Sequence, residues 1–321
     1  MNLRALVAPL RADVVSGAAV VARTACEVVR RASTEIPADS PEALRAGLGQ
    51  MAVAILDAQP AMASLVALAA RVLDAVEGAS SVEAAREAAA TAARAFDASL
   101  QAMTDALVGR AADELPRGGT ILTTSSSSTV RAVLLECAPA RGLSVICLES
   151  RPMNEGRFLA AALARGGIPV TFAVDAAAVA LLREADACLL GADSIGDRGV
   201  VNKIGSCGVA RSARSAGLPV LVAADASKLL PRGFPQPVED DRPPEEVWKA
   251  PLGARVWNRY FEAVPMSDVT RVITDTGVYS PEEIGRLRDS LAVPVELRRW
   301  ADGRGPAGPG LPEEPGHPSG V

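Results

Sequence analysis

The sequence of 321 residues predicts an α/β protein, a helical amino-terminal domain followed by a doubly wound parallel sheet. Three observations carry that expectation. Residues 1–117 are rich in alanine and repeat their apolar positions at helical spacing. From Pro116-Arg117-Gly118-Gly119 onward the period changes to short apolar runs alternating with helical stretches, the pattern of parallel βαβ units. The last stretch, 301–321, holds six glycines and five prolines with almost nothing apolar, which predicts disorder.

Within the first domain, Leu3, Leu6, Val7 and Leu10 share one helical face, as do Met51, Val53, Ala54 and Leu56. Ser40-Pro41-Glu42 places a cap and then a proline at the first helical position. Ser80 with Glu83 predicts a capping box for a long helix running toward Glu114. Helices so rich in alanine pack closely and read as scaffold.

The second domain, 118–300, contains seven apolar runs expected as strands: Thr120–Thr123, Leu143–Leu148, Ile168–Val174, Ala187–Leu190, Pro219–Ala223, Val269–Thr274 and Val293–Leu297. In such a Rossmann-like sheet, ligands bind beyond the carboxyl ends of the strands, where the strand order reverses.

Composition narrows the chemistry. The formal charge is −5, and no stretch concentrates Lys and Arg, so nucleic acid is not the expected partner. No apolar run approaches the ~20 residues of a membrane span, and no secretory apolar segment opens the chain. The five cysteines are scattered without C-x-x-C spacing, which fits a reducing, cytoplasmic setting. The single histidine, His317, lies in the Pro- and Gly-rich tail, so triads, Cys-His pairs and His-based metal centres are not expected. No metal and no cofactor is implied, and no Gly-x-Gly-x-x-Gly follows the first strand.

The groups that follow the strands suit a phosphorylated, polyhydroxylated ligand. They are Thr124 to Ser128, Glu149-Ser150-Arg151, Asp175, Asp193-Ser194, Asp225 and Asp275-Thr276-Gly277. The alternative for each is that it caps the next helix. Ser125, Ser126 and Ser127 precede a helical stretch, where hydroxyls and free N–H groups favour an anion. Asp193 ends an apolar strand, where desolvation raises a carboxyl pKa and a nearby Lys203 opposes the shift. Asn202 and Lys203 offer donors to hydroxyls and phosphate, and Arg151 offers a fork for phosphate. Cys147 and Cys188 read as inert core thiols, whereas Cys207, at a helix start, is the candidate for a lowered thiol pKa.

These segments, in order, resemble one family: methylthioribose-1-phosphate isomerase, ribose-1,5-bisphosphate isomerase and the α, β and δ subunits of translation initiation factor 2B. The matching stretches are Ile121-Leu122-Thr123-Thr124-Ser125, Glu149-Ser150-Arg151-Pro152 with Glu155-Gly156, and Ile168-Pro169-Val170-Thr171. They continue through Gly191-Ala192-Asp193-Ser194-Ile195, Asn202-Lys203-Ile204-Gly205 and Ile273-Thr274-Asp275-Thr276-Gly277. Asn258-Arg259-Tyr260-Phe261-Glu262 with Pro265 looks especially like the initiation factor subunits. The resemblance implies a phosphorylated-sugar ligand, a homo-oligomer, and interconversion of an aldose 1-phosphate with its ketose. It implies Asp193 as the proton-transfer group, with Asn202, Lys203 and Arg151 at substrate-contacting positions. The isomerase cysteine falls at Ser125, leaving Ser125 or Cys207 as the partner of Asp193. The glutamine of a Gln-Gly pair falls at Glu155, and an Arg-Gly-Ala phosphate motif appears as Ser16-Gly17-Ala18. The alternative implied is a non-catalytic regulatory subunit acting through protein contacts, which the serine at 125 favours.

Overall fold

The structure, a computed structural model, describes residues 3–13, 16–238 and 241–304. Six helices open the chain: α1 (Leu3–Leu6), α2 (Ala8–Ala12), α3 (Ala18–Glu35), α4 (Pro41–Ala58), α5 (Ala63–Ala75) and α6 (Val82–Glu114). The Ser40 hydroxyl accepts the Ala43 N–H at 3.1 Å and caps α4, with Pro41 in the first turn. The cap of α6 is Ser81, not Ser80. Its backbone is extended and its hydroxyl accepts the Ala84 N–H, so the third helical position carries alanine and no capping box forms. Glu83 still lies in the first turn, where the helix dipole favours a negative charge.

Helix α6 buries Ala85, Ala89, Ala93, Phe96, Leu100, Met103, Leu107 and Ala111, a stripe spaced by threes and fours. Its alanines admit close approach of α3. At 33 residues α6 is about 50 Å long, enough to serve two cores. Phe96 and Leu100 join the core of the helical domain, whereas Leu107 and Ala111 join the core beneath the sheet.

The remainder supplies β1 (Gly119–Thr123), α7 (Ser128–Arg141), β2 (Leu143–Leu148), α8 (Gly156–Arg165), β3 (Val170–Ala173), α9 (Ala178–Leu181) and β4 (Ala187–Leu190). Then follow β5 (Ser194–Gly196), β6 (Gly199–Lys203), α10 (Ser206–Ser215), β7 (Val220–Ala223) and β8 (Phe261–Val264). The last elements are β9 (Arg271–Ile273), β10 (Val278–Tyr279), α11 (Pro281–Asp289) and α12 (Val295–Arg304). The main sheet has the order β10-β9-β7-β4-β1-β2-β3, parallel except for the antiparallel edge strand β10. From β1 the chain winds outward through β2 and β3, then returns to place β4 on the other side of β1. The strand order therefore reverses between β1 and β4. The central strands β1, β2, β4 and β7 are largely buried on both faces, as a layer covered by helices requires.

Two features depart from the sequence expectation. The run Val293–Leu297 is not a strand; from Val295 it enters α12, which packs on the helical domain. Leu297 and Ala301, four residues apart, are buried in that core. The Arg45–Glu296 ion pair (2.8 Å) and the Trp300 Nε1 hydrogen bond to Asp57 (3.0 Å) tie α12 down. A five-residue apolar run does not distinguish helix from strand by period alone. Residues 301–304 consequently belong to a helix rather than to a disordered tail, and 305–321 lie outside the described residues. The second departure is a small antiparallel sheet, β5-β6-β8, that the alternation of runs did not announce. Among the described residues, no helix is long and apolar enough to cross a membrane.

Candidate functional site

A cleft of about 310 Å³ opens at the carboxyl ends of β1 and β4, where the strand order reverses. The loop after β1 brings Ser125, Ser126 and Ser127 to it, and Ser127 caps α7 by accepting the Val130 N–H at 3.3 Å. Ser125 adopts a left-handed backbone (φ 67°), and its N–H donates to Ser150 Oγ at 2.6 Å. The loop approaches β4 so closely that a Cβ on Gly191 would meet Ser127 Cβ at 2.7 Å. Only glycine leaves that approach open.

Asp193 stands just past β4 with its side chain lining the cleft and half-buried. Its backbone is held on both sides, the N–H by the Val201 carbonyl (2.9 Å) and the carbonyl by the Ala63 N–H (3.1 Å). The first bond belongs to the small sheet and the second reaches the start of α5, so sheet and helical half both fix this residue. Burial raises the carboxyl pKa, Lys228 and Lys203 pull it back, and Glu155 adds to the rise.

Two lysines are almost fully buried in the cleft wall. Lys203 ends β6, and its Nζ lies 2.5 Å from Glu155 Oε1 and 5.0 Å from the centre of the Tyr260 ring. Lys228 follows β7, and its Nζ donates to the Ala192 carbonyl at 3.2 Å, one residue before Asp193. Glu155 also accepts the Ser125 hydroxyl at 3.3 Å through Oε1, while its buried Oε2 has no hydrogen-bond partner among the described residues. Gly156, after it, packs against the end of β2, where a Cβ would lie 1.8 Å from the Leu148 carbonyl oxygen. Asn202 is buried and donates to Ser206 Oγ at 3.0 Å. Among the described residues, no group of His, Cys, Asp and Glu is placed to hold a metal ion.

A family model matches residues 14–281, nearly the whole of both domains and every group named in the cleft. The chain belongs to the initiation factor 2 subunit family. Among relatives of known name, it is 33% identical to the ribose 1,5-bisphosphate isomerase of Haloferax volcanii, across 90% of this chain and 92% of that protein. It is 32% identical to the methylthioribose-1-phosphate isomerase of Chloroflexus aurantiacus over 89% of each chain. The crystal structure of the translation initiation factor eIF-2B of Pyrococcus horikoshii OT3 superposes with a TM-score of 0.74 at 26% identity, covering 88% of this chain and 98% of that one. This family member thus shares its fold with proteins named as isomerases and as initiation factor subunits.

Of the residues singled out in the sequence, Ser125, Ser126, Ser127, Glu155, Asp193, Asn202 and Lys203 line the cleft together. Arg151 and Cys207 do not. The Arg151 guanidinium donates to the Val247 carbonyl at 3.1 Å, and its backbone N–H donates to Asp175, so this arginine organises its own loop. Cys207 turns away at the start of α10, where its N–H donates to Glu262 Oε1 at 2.8 Å. Burial and the Glu262 charge push its thiol pKa up, the reverse of the expected lowering, so the helix start does not activate it. Asp275 likewise serves a loop, accepting the Ala226 N–H at 2.7 Å.

Sequence reasoning missed Lys228, Tyr260 as a cleft wall, and Met62, Ser64 and Thr104 from the helical half. Asp225-Ala226-Ser227-Lys228 follows an apolar strand, so the signal for Lys228 was present three residues past a named aspartate. Ser16, Gly17 and Ala18, which the resemblance sets at an Arg-Gly-Ala phosphate motif, line the cleft, and so do Met62, Ser64 and Thr104. No local pattern marks the last three, because the packing of the helical half on the sheet brings them there.

Proposed function

We propose that this protein binds a phosphorylated pentose in the cleft and interconverts an aldose 1-phosphate with its ketose. The observation that carries the reading is the carboxyl of Asp193. It is held half-buried at the switch point between the buried cations of Lys203 and Lys228, and it faces a serine-rich helix start. A carboxyl whose pKa burial raises, beside cations that hold its charge, is suited to pass a proton both ways. The isomerisation needs no oxidant. The ring C1–O bond opens with a proton to the ring oxygen, Asp193 takes the proton from C2, and a proton returns to C1 while the C2 hydroxyl becomes the carbonyl. The hydroxyls and N–H groups at the start of α7 suit a phosphate. The names of the Haloferax volcanii and Chloroflexus aurantiacus relatives support the substrate class.

A second reading, sugar-phosphate binding without turnover in a regulatory subunit, is favoured by one observation. Ser125 stands where the resemblance places the isomerase cysteine, and its hydroxyl is engaged by Glu155. A hydroxyl is a far weaker acid than a thiol, so it is poorly matched to that proton transfer. We also propose a homo-oligomer, since Phe172 and Val174 stay exposed beside the sheet's free edge.

Thermal melting with ribose 1,5-bisphosphate and with 5-methylthioribose 1-phosphate tests binding, and ³¹P NMR of the same mixtures tests turnover. Stabilisation with turnover supports the isomerase. Stabilisation with unchanged spectra supports the regulatory reading, and no stabilisation by either sugar sinks both.

A further inference from the structure

Among the described residues, three that are not glycine hold a left-handed backbone: Ser125 (φ 67°), Ser150 (φ 64°) and Asn154 (φ 55°). All three lie in the loops that follow β1 and β2. Side chains disfavour this conformation, and it persists only where the surroundings hold it. Here the holding is explicit. Asp175 accepts the Ser150 N–H at 2.8 Å and the Arg151 N–H at 2.7 Å, and the buried Ser150 hydroxyl accepts the Ser125 N–H at 2.6 Å. The Asn154 N–H donates back to the Ser150 carbonyl at 2.9 Å. What the two loops bring together is one contact. Ser125 Oγ donates to Glu155 Oε1 at 3.3 Å, and Lys203 Nζ sits on the same carboxylate oxygen.

The contact joins a hydroxyl that faces the ligand to a group able to hold its proton. Ser125 lines the same cleft as Asp193, and Glu155 Oε2 is buried without a hydrogen-bond partner among the described residues. Buried polar atoms are nearly always paired, and this one keeps its lone pairs free for a proton. We infer that Ser125 and Glu155 form a proton relay, in which the hydroxyl meets the substrate and Glu155, acting through it, takes the proton that a hydroxyl alone could not hold. The inference rests on the isomerase reading and supplies the partner that Asp193 lacks there.

The protons balance. Asp193 enters protonated and gives its proton to the ring oxygen as the C1–O bond opens. It then takes the C2 proton, and the C2–H electron pair becomes the C1=C2 bond of an enol. Next the C2 hydroxyl loses its proton to Ser125 Oγ, which passes its own to Glu155. The O–H pair forms the carbonyl, and the C1=C2 pair takes back at C1 the proton held by Asp193. The sugar has gained and lost two protons, Asp193 is one short and Glu155 holds one more. Exchange with solvent resets the two after the ketose leaves.

Turnover of ribose 1,5-bisphosphate and of 5-methylthioribose 1-phosphate by the full chain, read by ³¹P NMR, tests the relay. Loss of deuterium from the same sugars labelled at C2 is the second readout. Glu155→Gln keeps the shape of the side chain and cannot take the proton. Its kcat should fall by about 100-fold or more, the scale of a proton-transfer step, while KM does not rise. Glu155→Asp should recover part of the loss. Asp193 still works at C2 in Glu155→Gln, so deuterium should wash out into solvent although the ketose no longer forms. A merely structural role would cost both reactions together. Turnover retained in Glu155→Gln, or washout lost along with turnover, therefore overturns the inference. Should that variant fail to fold, Ser125→Ala decides by the same split, washout kept and ketose lost. A wild type that turns over neither sugar removes the isomerase reading and the relay with it, whereas failure of the relay alone leaves wild-type turnover in place.

Discussion

Lys203 and Glu155 form a nearly enclosed ion pair, 2.5 Å between Nζ and Oε1, on the wall where a sugar phosphate would lie. The pair divides the lysine between a resident carboxylate and any incoming anion. The unpartnered Oε2 of Glu155 adds negative charge that such a ligand must face.

Glu155→Gln preserves the shape and removes the charge. We expect affinity for ribose 1,5-bisphosphate to rise about 10-fold, the order of one unscreened contact with a charged group. The protein itself should melt at a lower temperature without ligand, because Lys203 is left buried without its anion. Calorimetry and thermal melting measured on one preparation check both signs.

Asp193→Asn should lower turnover by at least about 100-fold, the usual scale of a proton-transfer group, with the sugar still bound. Its pH dependence has a defined sign. The folded-state pKa is raised above the ordinary carboxylate value, so the contribution of Asp193 to stability is present at low pH and is lost as the pH rises through the raised value. The variant does not titrate there. Its melting temperature relative to wild type should therefore climb as the pH rises above the ordinary carboxylate range, and a constant difference would contradict the raised pKa.

Ser125→Cys puts a thiol at the position of the isomerase cysteine, beside Glu155. If the hydroxyl is what limits chemistry, turnover should increase about 10-fold or more in the ³¹P assay, because the acid is better matched to neutral pH. Cys207→Ser should leave turnover unchanged, since that side chain lies outside the cleft.

Gly191→Ala forces a Cβ to within 2.7 Å of Ser127 Cβ. Overpacking of this kind costs about 1–3 kcal/mol, visible as a lower urea midpoint. Sugar-phosphate affinity should fall with it, because the serine loop must move.

Much of the site could be read from the chain in linear form. Ser125, Asp193, Asn202 and Lys203 each follow or end an apolar run, and a doubly wound sheet collects strand ends at one rim. Arg151 and Asp275 satisfied the same rule, yet their groups close the loops that carry them. Position after a strand gives proximity to the rim, but side-chain direction depends on the local turn. Cys207 failed for a related reason, since a helix start lowers a thiol pKa only where solvent or cations accompany it, and here burial beside Glu262 wins.

By itself the sequence determined the class of fold, because apolar period follows from which faces are buried, and it determined the stock of chemical groups, with a single histidine at position 317. The tertiary structure decided the rest. It chose helix over strand for Val295 onward by offering Leu297 a place in the helical core, and it set the reversal of strand order between β1 and β4. It also brought Ser16, Met62, Lys228 and Arg242 around Tyr260. Ser16 and Met62 come from the helical half and Lys228, Arg242 and Tyr260 from the loops after the strands, and only the packing of helices against sheet, driven by burial of their shared surface, makes the two sets neighbours.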